Sequence, residues 1–469
     1  MKTKLYSILV GGLLFVSTLF AQSKVITYPA PITEKISSLY TLTVNGKQID
    51  LYKASSPLFE GGEYFFGYFD FEGKVDVVVN IKPRNYPDDR NPRYKTELLS
   101  RTIKNAKVLP TKVSFSADKP FDATVLYEER YMPLVIFGNP IEKNKPSKND
   151  PNVIYFGAGV HVQDEVQIKE GQTLYLEGGA VLKSKIKGSG NNISIRGRGI
   201  VSGDLIQRRK IPQLVYLRKC ENLYIEGVIF KDSPHWTFTM QDCNKVEIDN
   251  MKICCSRMIN DDAIDICNTS NLTLRNVFAR AQDDIIAIKG FTGLPCENIL
   301  IEDSTFWTDR ANVFRIGYEC KAEAMRNIKV RNIFVPYYSS NYRGPEEYWA
   351  KGIIWLQATC DMPMFNIHFE NINIRSNGDN QCVLLANPRV VNWRDCKTAG
   401  KVYDCSIKNL NVWGKKGGFK GLLYFKGADE TRSVKNITLE NITYFGEKID
   451  AKYPHFQDTK HYTSGVSIK

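Results

Sequence analysis

Two pairs of adjacent aspartates, Asp261–Asp262 and Asp283–Asp284, lie 22 residues apart among isoleucines and alanines, in segments typical of buried strands. Clustered carboxylates repel one another when ionised, so such an arrangement costs stability. Neighbouring carboxyls whose pKa values are pushed apart are also what general acid–base chemistry uses. The two doublets therefore predict an acid–base site. One aspartate of a pair can instead cap a turn, and we expect a role of that kind for Asp265.

A short pattern of alternating apolar and polar residues must position these aspartates, because it recurs from the middle of the chain almost to its end. Alternation predicts a strand with one buried face, and short strands at this period can bury that face only against their own copies. The pattern predicts a right-handed parallel β-helix in which recurring asparagines form side-chain ladders from coil to coil. Clear copies begin at Asn222, Lys245, Asn271, Asn298, Asn327, Asn366, Ser406 and Asn436.

The spacing of the doublets is close to one period of this repeat, whose first four copies start 23, 26 and 27 residues apart. Adjacent strands in a sheet lie ~4.8 Å apart, so residues one coil apart are side by side. We therefore expect both doublets on one patch of one face of the β-helix.

The chain before the repeat has a different character. Residues 22–145 contain alternating strands broken by Asn-Gly and Glu-Gly turns, which predicts an N-terminal β-sandwich domain before a β-helix over residues 146–469. Residues 1–21 have two early lysines, a short apolar run and a small residue at the end, as a signal peptide does. An uncleaved anchor is the alternative. We expect a secreted or periplasmic protein with no membrane span after signal-peptide removal.

The charge composition of the chain limits the kinds of molecule that it is expected to bind. Lys and Arg number 63 against 51 Asp and Glu, a net charge of +12 spread along the chain without the basic block of a nucleic-acid arm. This indicates no nucleic-acid partner, and it fits either a solvated surface or attraction to an acidic polymer. Of the 11 cysteines, seven lie shortly before similar strand patterns of the repeat, which predicts buried and mostly reduced thiols: Cys220, Cys243, Cys267, Cys296, Cys320, Cys360 and Cys405. Nothing in the sequence calls for a cofactor or a metal.

The segments "NDDAIDI" and "QDDIIAIKG" resemble the paired motifs of glycoside hydrolase family 28, the polygalacturonases, and "SPHWTF" resembles that family's Ser-Pro-x-Trp strand. The layout of a β-sandwich before a β-helix resembles family 49, the dextranases and isopullulanases. The resemblance implies an inverting glycoside hydrolase that cleaves α-type bonds of a polysaccharide or oligosaccharide. It implies Asp283 as the general acid and Asp262 and Asp284 as the groups that hold and activate water, with Asp261 as a neighbour.

The chain departs from the polygalacturonase pattern after the second doublet. The matching region is "RANVFRIGYEC", without the Gly-His-Gly and Arg-Ile-Lys motifs whose basic pair would grip a galacturonate carboxylate. This departure favours a neutral, dextranase-like substrate or another α-glycan over acidic pectin. Lys289 and Arg315 are expected to supply positive charge near the substrate, whereas Arg310 is equally well explained as a structural cation.

Further residues are expected to line a substrate cleft. The loop over residues 336–352 interrupts the repeat and is predicted to form a cleft wall. Tyr348, Trp349, Trp307 and Trp355 can stack on sugars or belong to a core, and His235 can contact substrate or pack beside Trp236. The predicted substrate-binding residues are Asp261, His235, Lys289, Arg315, Tyr318 and Glu319.

Two other functions use the same architecture. A polysaccharide lyase would use clustered carboxylates to bind calcium, with Arg or Lys as the base. A non-catalytic glycan-binding protein or adhesin would need no acid–base pair. The order and spacing of the doublets favour the hydrolase, because binding alone does not explain carboxylates concentrated at electrostatic cost.

Overall fold

The computed structural model is all-β across the residues that it describes, with no α-helix among them. In this part of the chain no helix has the length and apolar character needed to cross a membrane. The predicted signal peptide lies outside the described residues. These are 23–34, 39–56, 63–82, 95–127, 132–338, 352–378, 382–390, 396–416, 422–454, 456–458 and 461–469.

The N-terminal part forms two sheets, one in the order β1-β5-β11-β10-β7 with β4 beside β5, the other in the order β3-β2-β6-β9-β8. Strand β6 shows the alternation that builds these sheets: Val75, Val77 and Val79 are buried, while Asp76 and Asn80 between and after them are exposed. Apolar side chains of both sheets share one core. The strands are β1 Lys24–Thr27, β2 Tyr40–Val44, β3 Lys47–Ile49, β4 Leu51–Ser55, β5 Glu63–Glu72, β6 Val75–Ile81, β7 Glu97–Leu99, β8 Ala106–Leu109, β9 Lys112–Ala117, β10 Phe121–Leu126 and β11 Leu134–Pro140.

The remaining strands form one continuous sheet in which successive coils pair in parallel, which confirms the predicted parallel β-helix. The short strand β36 pairs antiparallel with β35. The strands are β12 Val153–Phe156, β13 Gly159–Ile168, β14 Thr173–Leu176, β15 Ala180–Asn191, β16 Ser194–Gly197, β17 Ile200–Ser202, β18 Gln213–Glu226, β19 Ile229–Lys231, β20 Trp236–Gln241, β21 Asn244–Asp249, β22 Lys252–Cys254, β23 Ile264–Cys267, β24 Ser270–Arg275, β25 Phe278–Ala281, β26 Ile286–Gly293, β27 Cys296–Thr308, β28 Phe314–Ala322, β29 Met325–Val335, β30 Ile354–Leu356, β31 Pro363–Asn377, β32 Cys382–Ala386, β33 Lys401–Lys415, β34 Leu422–Phe425, β35 Val434–Tyr444, β36 Glu447–Lys448, β37 Phe456–Asp458, β38 Thr463–Ser464 and β39 Ser467–Ile468.

The interior of the β-helix is a stack of equivalent side chains. Leu272, Ile299, Ile328, Ile367 and Cys405 follow one another in register through five coils, and all five are buried. Burying each large aliphatic side chain contributes roughly 1.5–3 kcal/mol before the conformational entropy of ordering the chain is counted. The repeat thus supplies on every coil the apolar residue that its neighbours need.

The predicted asparagine ladders are present at the turns. The side-chain amide of Asn327 donates to Asn298 at 3.1 Å, and that of Asn298 donates to Asn271 at 2.9 Å. Their backbone φ angles lie between 54° and 57°, in the left-handed region that asparagine tolerates better than most residues. A second ladder runs through Asn332, Asn371, Asn409 and Asn441.

The N-terminal sheets pack against the coils that carry the aspartates. The hydroxyl of Tyr64 donates to the carbonyl of Cys255 at 2.9 Å, one residue before a loop that Asp261 organises. Arg198 forms a fully buried ion pair with Asp70 at 2.9 Å. Because a buried charge without its partner is costly, this pair fixes how the two parts of the chain meet.

The cysteine prediction is right for most of the thiols and wrong for one residue that supported it. Eight cysteines in the described residues are free and buried, as predicted. Cys360, predicted to be a stacked reduced thiol, instead forms a disulfide with Cys396. Cys360 lies at a turn with φ of 54°, outside the strands, where its Cα is 5.0 Å from that of Cys396. This is within the range that a disulfide spans.

Candidate active site

The two aspartate doublets lie on adjacent coils in direct register. Strand β23 pairs with β26 so that Ile264 is opposite Ile286, and the N–H of Ala263 donates to the carbonyl of Asp284 at 2.8 Å. Asp262 and Asp284 are therefore neighbours across two coils, as the spacing predicted. The same column continues to Trp236 on the coil before and to Asn312 on the coil after. Four polar or aromatic side chains thus stand in one line across the coils.

Asp261 is fully buried and is used by the backbone. One carboxylate oxygen accepts hydrogen bonds from the N–H groups of Ser256 at 2.8 Å and Met258 at 3.4 Å. The other accepts from those of Gln282 at 2.7 Å and Asp283 at 3.3 Å. Burial raises the pKa of Asp261 to about 8, against these hydrogen bonds, which lower it. Sequence reasoning predicted a substrate contact here, but the geometry instead makes Asp261 the support of the second doublet.

Asp262 shares a buried cation. The ammonium of Lys289 lies 2.8 Å from the carboxylate of Asp262, and both side chains are almost fully removed from solvent. Burial raises the pKa of Asp262, Lys289 lowers it, and the neighbouring carboxylate of Asp284 raises it again. A carboxylate placed between a cation and a second carboxylate is suited to gaining or losing a proton.

Lys289 lies close to more carboxylates than the sequence indicated. Besides Asp262 it lies 2.8 Å from Asp265 and 3.8 Å from Glu319, and its ammonium lies 3.7 Å from the ring centroid of Trp236. Burial opposes the charge of Lys289, but these carboxylates outweigh burial and raise its pKa well above the ordinary value. Lys289 is therefore a permanent positive charge within the acidic cluster.

The turn-capping role expected for Asp265 is wrong. Its carboxylate contacts Lys289 and accepts a weak hydrogen bond of 3.4 Å from the hydroxyl of Thr239. Burial raises the pKa of Asp265 well above its ordinary value, although Lys289 lowers it. A sequence pattern does not show this pairing, because it depends on a lysine that approaches from the next coil.

Asp284 is held by different groups. One oxygen accepts hydrogen bonds from the backbone N–H of Asn312 at 3.1 Å and from its side-chain amide at 2.6 Å. The other lies 3.5 Å from the guanidinium of Arg315. Asn312 was not predicted. Its spacing of 28 residues from Asp284, one coil of the repeat, is the signal by which it could have been found.

Asp283 is half-buried, in contrast to Asp261, Asp262 and Asp284, which are buried. Its carboxylate accepts a hydrogen bond from the N–H of Asp284 at 3.0 Å, and its carbonyl accepts one from the hydroxyl of Thr308 at 3.1 Å. Of the four aspartates, Asp283 therefore offers its carboxyl most readily to a molecule arriving from solvent.

The side chains around Arg315 form a packed stack. The guanidinium carbon lies 3.4 Å from the ring centroid of Tyr318 and 4.9 Å from that of Trp355. The Nε–H of Arg315 also donates to the side-chain oxygen of Gln357 at 3.4 Å. Arg315 is 8% exposed and Tyr318 is 7% exposed, so both reach solvent only at an edge. The structure thus places Arg315 in contact with both Tyr318 and Asp284.

The two remaining predicted substrate contacts, Glu319 and His235, differ in their positions. Glu319 is brought to the cluster by a backbone φ of 50°, with its carboxylate near Lys289. His235 lies half-buried beside Trp236, and one ring nitrogen is 2.9 Å from the carbonyl of Pro212. Burial lowers the pKa of His235 despite that carbonyl. The imidazole thus has the packed position that was its alternative explanation, with part of its surface accessible.

The aromatic residues proposed for sugar stacking are mostly not available. Trp307 and Trp355 are fully buried and belong to the packing around the site. Tyr348, Trp349 and most of the predicted cleft-wall loop lie outside the described residues. Arg310 is half-buried, with its N–H 3.3 Å from the hydroxyl of Thr308.

A buried cluster beneath the doublets was missed. Asp309 accepts hydrogen bonds from Arg280 at 2.8 Å, from the hydroxyl of Ser256 at 2.6 Å and from the indole of Trp307 at 2.9 Å. The guanidinium of Arg280 lies 4.3 Å from the ring centroid of Tyr64, which belongs to the N-terminal sheets. The cluster links those sheets to the Ser256 loop that carries Asp261. Across the described residues, no group of three or more His, Cys, Asp or Glu is placed to hold a metal ion.

The chain is similar in sequence to known glycoside hydrolases. Residues 141–335 match the sequence model of glycosyl hydrolases family 28. The chain is 31% identical to rhamnogalacturonase A of Aspergillus niger over 91 residues, 19% of either protein. It is 31% identical over 133 residues to a polygalacturonase of Penicillium janthinellum, covering 22% of this chain and 36% of that protein. The chain thus matches well under half the length of these relatives.

Its fold is similar to that of Dex49A from Penicillium minioluteum, with a TM-score of 0.65 over 94% of this chain and 96% of that one, at 12% identity. This likeness concerns the fold. The predicted resemblance is thus confirmed: residues 141–335, most of which lie in the β-helix, are similar to glycosyl hydrolases family 28.

Proposed function

We propose that this protein is an inverting glycoside hydrolase that cleaves α-type bonds of a polysaccharide, with Asp283 as general acid and Asp262 and Asp284 as the groups that activate water. The observation that carries the proposal is the alignment of Asp262 and Asp284 on adjacent coils, each beside its own cation. An inverting glycosidase needs one protonated carboxyl at the leaving oxygen and an ionised carboxylate that activates water on the other face of the sugar.

The two buried aspartates suit the base role. Lys289 contacts Asp262, while Arg315 and Asn312 contact Asp284, so each carboxylate has a cation beside it. Lys289 lowers the pKa of Asp262 against the burial that raises it. Because Asp262 and Asp284 are neighbours, an attacking water molecule would be in reach of both carboxylates. Each can take the proton that the water loses as it attacks the anomeric carbon.

Asp283 suits the acid role because it is the most accessible of the four and is fixed in place. Its N–H is held by Asp261 and its carbonyl by Thr308, so the backbone on both sides of the side chain is restrained. A catalytic acid must lie within hydrogen-bond reach of the leaving oxygen, and a restrained backbone keeps it there. Asp261 would then be a positioning residue.

The environments of Lys289 and Arg315 indicate whether the sugar at the cleaved bond is charged. Lys289 is surrounded by three carboxylates, and Arg315 is engaged by Asp284 and Gln357. Neither is left to neutralise a carboxylate on the sugar at the cleaved bond. A neutral sugar at that position fits this charge balance best, whether the polymer is a dextran-type glucan or one that carries its charge on other residues.

We also propose that residues 1–21 are a signal peptide, that the mature protein is secreted or periplasmic, and that residues 22–145 form a β-sandwich domain ahead of the β-helix of residues 146–469. The apolar N-terminus supports export. The two N-terminal sheets that share one core support the sandwich. A polysaccharide substrate fits an exported enzyme.

The test is a screen of the purified protein against dextran, pullulan, polygalacturonate, rhamnogalacturonan and sulfated algal glycans. New reducing ends would be measured for the wild type, for Asp283→Asn and for Asp118→Asn, whose aspartate is exposed in the N-terminal part. We expect activity on at least one polymer, abolished only by Asp283→Asn, and an inverted anomer in the first product by NMR. An unsaturated product that absorbs in the ultraviolet would instead identify a lyase.

A further inference from the structure

A large cavity lies away from the aspartates. It has a volume of about 1000 Å³ and lies between the N-terminal sheets and the late coils of the β-helix, where β7 faces β31 and β33. A smaller hollow of about 450 Å³ lies next to this cavity. The two share a border where Asn373, which lines the hollow, accepts a hydrogen bond of 2.6 Å from the indole of Trp413, which lines the cavity. We call the two together the interdomain groove.

Trp413 gives the groove an aromatic surface. It projects from β33 next to Arg375 of β31, and it is 36% exposed. Val108 and Leu109 line the same cavity and are exposed as well, so Trp413 belongs to a group of exposed apolar side chains. Because its indole N–H is fixed by Asn373, the ring is held in one orientation and presents a flat surface to the groove.

The charge of the groove is positive. Two ion pairs are internal to it, Arg375 with Glu97 at 2.9 Å and Arg101 with Asp303 at 3.3 Å. Three exposed lysines that line the groove have no carboxylate partner in the described part of the chain: Lys95, Lys104 and Lys415. The stem of Lys415 lies against Gly378, where an added Cβ would be 3.0 Å from its Cδ. The aspartate site differs, since its cations are engaged by carboxylates.

The remaining walls offer amides. Side chains of the second asparagine ladder, including Asn371 and Asn409, line the smaller hollow. Amides both donate and accept hydrogen bonds, as sugar hydroxyls require. A ring-stacking surface, amides and unpaired lysines together match a polymer of hydroxyl-rich rings that carry carboxylates.

We propose that the interdomain groove is a second, non-catalytic binding site for a carboxylate-bearing polysaccharide. Trp413 stacks on a sugar ring while Lys95 and Lys415 pair with uronate carboxylates. The inference is separate from the catalytic proposal, because the groove shares no lining residue with the aspartate cluster. Its function would be to hold a charged polymer by residues that lie away from the bond being cleaved.

The test measures binding to polygalacturonate by titration calorimetry, in the Asp283→Asn background so that no substrate is consumed. We expect Trp413→Ala to weaken binding at least about tenfold. Lys95→Gln with Lys415→Gln should weaken it similarly and reduce its dependence on salt. The matched control is Lys148→Gln with Lys169→Gln, which removes two exposed lysines near the first coils and should leave binding unchanged.

Neutral dextran and a single-stranded oligonucleotide serve as further probes. We expect neither to bind in a way that depends on Trp413. Equal affinity of the groove variants and the control variant would overturn the proposal, as would an oligonucleotide that competes on equal terms with polygalacturonate. Should Trp413→Ala fail to fold, the lysine pair decides the question, because both lysines are exposed. Loss of catalysis on every polymer would leave this binding result unaffected.

Discussion

Asp262 and Asp284 stand directly beside each other on adjacent coils, joined by the hydrogen bond from Ala263 N–H to the carbonyl of Asp284 at 2.8 Å. Two ionised carboxylates on neighbouring positions of adjacent coils repel each other strongly in a buried setting. Lys289 beside Asp262 and Arg315 beside Asp284 offset this repulsion. Each member of the pair therefore depends on the cation beside it.

The first prediction concerns the three proposed catalytic aspartates. Replacing Asp262, Asp283 or Asp284 by Asn should lower kcat by about 10²–10⁴-fold, because each variant removes a group that donates or accepts a proton. Circular dichroism should show an unchanged fold for Asp283→Asn, whose side chain is half-buried. A variant at Asp283 that keeps near wild-type kcat would contradict its assignment as the acid.

The second prediction concerns Lys289 and the pH profile. Lys289 lowers the pKa of Asp262, so Lys289→Met should raise that pKa further. Because Asp262 must be ionised to act as a base, the acidic limb of kcat/KM should move to higher pH, by about 1–3 units. The pH dependence of kcat/KM measures this directly.

The control for this experiment is Lys289→Arg, which keeps a positive charge beside Asp262 and should keep the limb near its original position. A purely structural lysine would behave differently: Lys289→Met would then lower activity by one factor at every pH. An unshifted limb would therefore rule out the electrostatic role.

The third prediction concerns the stability contributed by Asp261. Burial raises its pKa to about 8 in the folded protein, well above the ordinary value of an aspartate, so the protonated carboxyl is favoured by folding. That contribution is complete below about pH 4 and is lost as pH rises through about 8. We expect the unfolding free energy of the wild type to fall more steeply across this window than that of Asp261→Asn.

Denaturant titrations of the two proteins at several pH values within the window give the comparison. Asp261→Asn should also be less stable by about 1–3 kcal/mol, because asparagine offers one acceptor oxygen to four backbone N–H groups. Parallel pH curves for the two proteins would show that Asp261 is ionised throughout.

Register was predictable from the sequence because it depends only on spacing. A coil repeat sets which residues are neighbours, so the alignment of Asp262 with Asp284 and the ladder from Asn271 to Asn298 follow from counting. Side-chain direction does not follow from counting. The contact of Lys289 with Asp265 and the burial of Trp307 depend on packing in three dimensions.

The fourth prediction concerns the asparagine ladder. Asn327→Ala should destabilise the β-helix by about 1–3 kcal/mol, because it removes ladder hydrogen bonds and places alanine at a φ of 57°. Asn327→Gly should cost less, since glycine accepts this φ freely. Lys329→Ala, an exposed position on the same strand, is the matched control for thermal unfolding. Equal losses for the alanine and glycine variants would remove the backbone part of this argument.

The fifth prediction concerns the disulfide between Cys360 and Cys396, which closes a loop of 36 residues. Constraining the unfolded chain over such a loop contributes about 2–4 kcal/mol. Denaturant titration should therefore give the double variant Cys360→Ser with Cys396→Ser an unfolding free energy that is lower by that amount. Mass spectrometry after alkylation under denaturing conditions should show two additional labelled thiols when the wild type is first reduced. Cys405→Ser is the control, because that thiol is free and its replacement should leave this difference unchanged. An identical labelling pattern with and without reduction would mean that all the cysteines are reduced, as the repeat alone had suggested.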